Sequence, residues 1–451
     1  MVKMVQKCST LKRIAYISVA NTLYLFGGEA SSVHNLSKLC DREGWILDLV
    51  VNARCKDRAR YMDSTFIPRF SKSERTIHLS VPTINTGPVP VDNIAGVFSS
   101  CYNFIKSLGR IIPDMVIFSN PVFASMVYPY KIHEYIPCYT YTHLTQLLYD
   151  VRSVIDKKVV SVYKMLCSLP GIGLLTQQER NKRILDTFAP DTHKAVLPIA
   201  YAKEVEDGPR EGLVFLGGGS VVKNAGMAAS ILKDFKNRHP EVPITAIGAQ
   251  SENKVRTLFA FADVVLCKAN RQKIQDVLRK GRLGVYTATA ESFGLAVFEQ
   301  LEHFPVALKA APYTLAFPLC PTFDTVDEAV SILERLYYHN EEYAQVKDDC
   351  KKHLFQAYSY EKMRDYAIAA AQFSSSHTVS AATEQQILGK LSKEAMPITD
   401  LYERLGWNSP LLGMQALTIL RRQGKCEFLQ RDSNTLVGLP GCHMPRVTSL
   451  F

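Results

Sequence analysis

Residues Glu291–Glu299 read ESFGLAVFE, and this stretch decides the fold. Two carboxylates bracket the run Ser292-Phe293-Gly294-Leu295. The segment before it, RLGVYTATA, reads as a buried strand, and AVFEQLEHF after it has helical spacing. The glycine therefore sits on a strand-to-helix turn. Free backbone N–H groups and the helix dipole form an anion site there, with a carboxylate on either side. An acidic first turn that merely complements the macrodipole explains one glutamate. It does not explain the glycine turn or the spacing.

Outward from this motif, short strands alternate with helical segments. EGLVFLGGG runs into glycines, and PITAIGA, DVVLCKA and LGVYTAT follow it. The first half reads the same way. LKRIAYIS leads through a loop to Gly27-Gly28 and the helix EASSVHNLSKLCDREG, and ILDLVV, PDMVIFSN and PCYTYTH are later strands. Such alternation predicts an α/β protein with doubly wound parallel sheets. Prolines and turn residues cluster between Ala189-Pro190 and Pro209, which marks a break between two halves. Paired glycines after a first strand are weak evidence for a nucleotide site, because the full dinucleotide fingerprint is absent.

Composition sets the outer limits. The 451 residues exceed one ordinary core, so two or three domains are expected. No apolar run is long enough to span a bilayer; the nearest, Val159 to Leu175, is broken by Lys164 and Pro170-Gly171. No basic, apolar leader opens the sequence. Eleven cysteines, an odd number without C-x-x-C pairs, suit free thiols in a reducing cytoplasm better than disulfides or zinc. A formal net charge of +10 suggests an anionic partner, although a moderate excess also aids solubility.

The motif Glu291–Glu299 resembles the E-x7-E signature of retaining glycosyltransferases with the GT-B fold, family four in particular. The resemblance covers roughly residues 11 to 375. It implies an N-terminal Rossmann-like acceptor domain (1–195) and a nucleotide-sugar domain (196–357) facing a cleft. A helix over 358–373 would cross back to the first domain. Within that frame Glu299 looks like the acceptor of hydrogen bonds from the nucleotide ribose, and Glu291 like a partner of hydroxyls on the transferred sugar. Ser292 and Phe293 complete the donor loop, and Gly294 and Leu295 would offer N–H groups to phosphate.

Lys223 lies six positions after Gly217, the spacing of the family's diphosphate-binding lysine. A solvated loop lysine is the alternative. The family supplies an arginine directly after the first glycine, and here that position is Gly218. A guanidinium clamps phosphate bidentately, whereas glycine offers only backbone. Gly27 and Gly28 match the loop facing the cleft near the donor phosphates. His143, ending PCYTYTH, matches a histidine beside the donor sugar, although a lone histidine at a strand end is more often structural. Lys268, after DVVLC, falls near where the family holds the base of the nucleotide. The catalytic set is thus Glu291, His143 and Lys223. No metal or other cofactor is expected, since no acidic pair or ligand spacing suits one. The donor is a nucleotide sugar such as a UDP-sugar.

The last seventy residues depart from that pattern. A polar joint over 374–382, SSSHTVSAA, precedes TEQQILGKLS, PITDLYERLGWNSP, LLGMQALTILRRQGK and CEFLQRDSNTLVGL. Three helices and a hairpin over 383–440 resemble a winged helix-turn-helix. Its third helix would be a recognition helix, with Arg421, Arg422, Lys425 and wing residue Arg431 on phosphates. A protein-docking role is the alternative, because this helix is rich in leucine. A second basic run holds Arg54, Lys56, Arg58 and Arg60 among aromatic residues, suited to a nucleic-acid strand, or else a solvated loop.

Together these readings imply a cytoplasmic, retaining glycosyltransferase. It would move a sugar onto a hydroxymethylated pyrimidine in DNA, similar to the enzymes with which bacteriophages decorate their genomes. Two alternatives stay open. One keeps the chemistry but uses a protein, lipid or glycan acceptor, with the winged helix as a docking module. The other is a DNA-binding regulator that senses a nucleotide sugar.

Overall fold

The computed structural model describes residues 11–18, 28–52, 74–79, 105–119 (without 107), 121–141, 164–200 (without 188), 210–217, 223–248, 252–267, 269, 271–372 (without 292), 379–407, 410–431 and 434–443. Two parallel sheets dominate. The first contains β1 (Arg13–Ser18), β2 (Ile46–Asn52), β3 (Glu74–Leu79), β4 (Met115–Phe118), β5 (Cys138–Tyr141), β6 (Ile172–Thr176) and β7 (Lys194–Val196). Their order is β3-β2-β1-β4-β5-β6-β7. The second contains β8 (Leu213–Gly217), β9 (Ile244–Gly248), β10 (Val264–Cys267), β11 (Leu283–Tyr286), β12 (Val306–Lys309) and β13 (Thr322–Phe323), in the order β10-β9-β8-β11-β12-β13. Every strand pairing in both sheets is parallel. Apolar runs such as MVIF and LGVY form central strands because helices cover both faces of such sheets.

In each sheet the strand order reverses beside the first strand of that half, β1 or β8, and crevices open at such points. Helix α1 (Gly28–Glu43) follows β1, and α2 (Glu179–Asp186) follows β6. In the second half α3 (Ala225–Arg238) follows β8, and α4 (Leu295–Leu301) follows β11. Helices α5 (Val326–Tyr338) and α6 (Asn340–Ala357) complete that half. Thr325 opens α5 with a reciprocal capping box to Glu328.

The chain then crosses back. Tyr358 ends α6, whose Cys350 and Leu354 pack in the second half. The Ser359 side chain caps α7 (Tyr360–Ala371), whose Tyr360, Met363, Ala367 and Ala370 pack in the first half. They lie against Ile14, Tyr16, Met115 and Ile117, one face of the first sheet. The Tyr139 hydroxyl fixes the helix by donating to the Ala370 carbonyl at 2.9 Å.

The opposite face of the same sheet carries Ala15, Ile17, Val116 and Phe118. It is covered by the C-terminal residues. Helices α8 (Ala381–Leu388), α9 (Ile398–Arg404) and α10 (Pro410–Arg422) accompany an antiparallel sheet of β14 (Met396–Pro397), β15 (Glu427–Arg431) and β16 (Asn434–Gly438). Ile387, Leu401, Tyr402, Met414, Leu417, Leu420 and Val437 share one continuous core with the first sheet. Without them that sheet face would lie bare. Polar contacts lock the seam. Tyr402 donates to the Gly109 carbonyl at 2.9 Å, and buried Arg13 pairs with Asp48 at 2.6 Å while donating to Thr435 at 2.5 Å.

Among the described residues, no helix is long and apolar enough to cross a membrane. The eight described cysteines are all free thiols.

Candidate active site

The strand-to-helix turn forms where the motif places it. β11 ends at Tyr286, and Gly294 caps α4 with a φ of +90°, a left-handed conformation suited to glycine. Its carbonyl starts the helix by accepting from the Val297 and Phe298 N–H groups. Phe317 lies so close that a Cβ here would sit 3.1 Å from its ring. Phe293 is fully buried against Phe298, Phe317 and Tyr358, so the loop between Glu291 and α4 is anchored by an aromatic cluster.

Lys223 reaches this loop from the neighbouring strand connection. β8 ends at Gly217, and Lys223 stands just before α3. Its ammonium forms an ion pair with Glu291 and donates to the Tyr286 hydroxyl at 2.8 Å. Tyr286 in turn donates to Glu291. Thr287 donates to the Lys223 and Asn224 carbonyls, both at 3.0 Å, and fixes that backbone. Asn224, with φ +48°, makes the left-handed step that starts α3.

The electrostatics are those of a partly buried site. Burial draws the Lys223 ammonium down to about 8, against the pull of the Glu291 carboxylate, which favours its charged form. The Glu291 side chain is only 9% exposed. Burial pushes the Tyr286 phenol well above its ordinary range, and the nearby Glu299 carboxylate pushes it further. Glu299 is half-buried on α4. Among the described residues no group of three or more His, Cys, Asp or Glu side chains could hold a metal ion.

The first half approaches the same loop. Gln178, after β6, donates to the Phe293 carbonyl at 3.3 Å, and Arg180, in the first turn of α2, donates to the Pro312 carbonyl. Behind them Gln177 donates to Ser32 of α1 at 3.1 Å. The residues after β6 and the motif loop after β11 therefore meet between the two halves.

Of the residues selected from sequence, Lys223, Glu291, Phe293, Gly294, Leu295 and Glu299 lie in one neighbourhood, Gly217 ends the strand that leads to Lys223, and Gly28 starts α1. Gly27, His143, Gly218, Lys268, Ser292, Arg54, Lys56, Arg58 and Arg60 lie outside the described residues. The four C-terminal basic residues lie within the described residues. Arg421 pairs with Asp114 at 2.5 Å across the seam, and Lys425 pairs with Glu384 at 2.5 Å. Both charges answer carboxylates of the chain itself, and α10 turns its leucine face into the shared core instead of standing free. Arg422 is exposed beside Arg421, and Arg431 ends β15. Sequence reading missed Tyr286, Gln178 and Arg180. Tyr286 ends an apolar strand five residues before Glu291, a position that reads as core.

No protein-family model and no curated protein matches the chain. Solved structures do. A mutant of S. aureus TarM, in complex with fondaparinux, α-GlcNAc-glycerol and UDP, aligns with a TM-score of 0.62 at 12% identity. The alignment covers 80% of this chain and all of that one. Sucrose-phosphate synthase of Thermosynechococcus elongatus aligns at 0.59 and 13% identity over 78% of this chain and 96% of its own. The pneumococcal O-GlcNAc transferase GtfA, in complex with UDP and GlcNAc, aligns at 0.59 and 9% identity over 80% of this chain and 99% of its own. The chain has the GT-B glycosyltransferase fold.

Proposed function

We propose that the protein is a glycosyltransferase that takes a sugar from a nucleotide-sugar donor and retains its anomeric configuration. The observation that carries this reading is the joining of Lys223 and Glu291 between the ends of β8 and β11, beside the glycine turn and Glu299. Glycosidic cleavage leaves negative charge on a diphosphate. A fixed ammonium and helix-start N–H groups stabilise that charge more in the transition state than in the ground state. Lys223 serves the diphosphate, Glu299 accepts from the ribose hydroxyls, and Glu291 accepts from hydroxyls of the sugar. The leaving phosphate takes the acceptor proton as the new bond forms on the same face. UDP in the TarM and GtfA complexes supports a uridine donor.

For the acceptor we retain hydroxymethylated pyrimidine DNA. The support is the net charge of +10 and the basic run with Arg54, Lys56, Arg58 and Arg60 in the acceptor half. The C-terminal residues, which we read as a winged helix, lend less to it, because Arg421 and Lys425 are paired within the chain. A protein or glycan acceptor is favoured instead if that integrated unit serves the fold alone. Incubation with a panel of sugar nucleotides and hydroxymethylated DNA, followed by mass spectrometry of the nucleosides, tests both parts. A hexose or pentose mass added to the modified base is expected. Donor consumption without DNA modification would keep the transferase and discard the DNA acceptor.

A further inference from the structure

We infer that Tyr286 is a positioning residue that aims Lys223 and Glu291 at the donor. The inference rests on the glycosyl-transfer reading of this site and extends it to a residue the E-x7-E motif does not contain. Tyr286 is 1% exposed, ends β11, and packs edge-on to Tyr313 with ring centroids 5.9 Å apart. Its hydroxyl therefore has little freedom. It accepts from the Lys223 ammonium at 2.8 Å and donates to Glu291. Its neighbour Thr287 holds the Lys223 and Asn224 carbonyls. Two consecutive residues thus grip the lysine at both ends, backbone and ammonium.

The arrangement matters because the site is self-neutralised at rest. Lys223 and Glu291 answer each other, and a donor must draw the ammonium to its diphosphate while its sugar hydroxyls take the carboxylate. Left alone, a flexible lysine would follow either partner. The tyrosine oxygen occupies one of the three ammonium donors and leaves two for phosphate. Its O–H occupies one oxygen of Glu291 and leaves the other for the sugar. Both groups can then change partners without leaving their places. The position directly after Gly217, where the resembling family has a phosphate-clamping arginine, is Gly218, so aiming Lys223 carries more of the task.

Tyr286→Phe keeps the ring and removes only the hydroxyl. In the full-length protein, affinities for UDP, GDP, ADP and CDP are measured by ligand-observed NMR and calorimetry. Four forms are compared: wild type, Tyr286→Phe, Lys223→Ala and the double variant. Tyr286→Phe should lower affinity for the bound diphosphate by about tenfold, the worth of a hydrogen bond to a charged group. In the Lys223→Ala background the same change should cost less than about twofold, because the tyrosine acts on the phosphate only through the lysine. The pH at which wild-type affinity declines should also move lower in Tyr286→Phe. An equal loss in both backgrounds would mean packing damage and overturn the inference. So would affinity and pH profile unchanged from wild type. Failure of wild type to bind any of the four diphosphates would overturn the transferase reading itself, and the inference with it.

Discussion

At Lys223, burial and charge oppose each other, and pH reveals which one governs. With its proton held to about 8, the ammonium is present below that pH and lost above it. Affinity for a nucleoside diphosphate should therefore be full near pH 7 and fall by up to about tenfold per unit above pH 8. Titration calorimetry between pH 6.5 and 9.5 checks this, and a flat profile would mean that backbone N–H groups alone hold the phosphates. Glu299→Ala should weaken nucleoside diphosphate binding by on the order of 2–3 kcal/mol if the carboxylate holds the ribose. Gly294→Ala should destabilise the protein by roughly 1–2 kcal/mol, because its φ of +90° opposes any Cβ and Phe317 leaves little room. A denaturation midpoint equal to wild type would contradict that account of the turn. Lys223, Glu291, Gly294 and Glu299 were legible from motif and spacing. Tyr286 was not, since a tyrosine ending an apolar strand reads as core. Its role exists only because the fold brings in Lys223, distant by 63 residues.

At the scale of elements, sequence reading succeeded where strands were apolar and bounded by turns. β1, β4, β5 and β8 to β11 fall within segments so read, and β2 runs one residue past its own. It passed over β3, which lies behind a basic run, β7 and β13, which have only three and two residues, and β12, which follows closely on the helical stretch AVFEQLEHF. β6 falls at the end of the apolar run Val159 to Leu175, directly after Pro170-Gly171. The C-terminal helices were found, but their packing was not. The leucine-rich face of α10 was the signal, and it serves the shared core. Deleting residues 380–451 would expose Ala15, Ile17, Val116 and Phe118, and should give an aggregating or loosely packed protein, not an autonomous catalytic unit. A truncated protein that unfolds cooperatively at the wild-type temperature would contradict this. Asp114 concentrates the seam, accepting from the Lys12 and Arg13 N–H groups at 2.9 Å and pairing with Arg421. Asp114→Ala should cost on the order of 2 kcal/mol in urea denaturation. Arg421→Ala should cost less, since the backbone bonds survive.

Across the whole molecule, the two parallel sheets, the helix that returns to the first half and the integrated C-terminal layer make the site a product of both halves. Gln178 and Arg180 of the first half touch the carbonyls of Phe293 and Pro312 in the second, so the motif loop is held from across the cleft. The proposed chemistry depends on that loop and Lys223 forming a nucleoside diphosphate site. Calorimetric titration of nucleoside diphosphates into wild type and Lys223→Ala therefore tests it most directly. Wild type should bind at least one of them near pH 7, uridine diphosphate first among them. Lys223→Ala should keep its fold and lose affinity by about tenfold or more, the worth of a charge-assisted hydrogen bond. Binding that is equally tight in both proteins, or absent from the wild type, would contradict it.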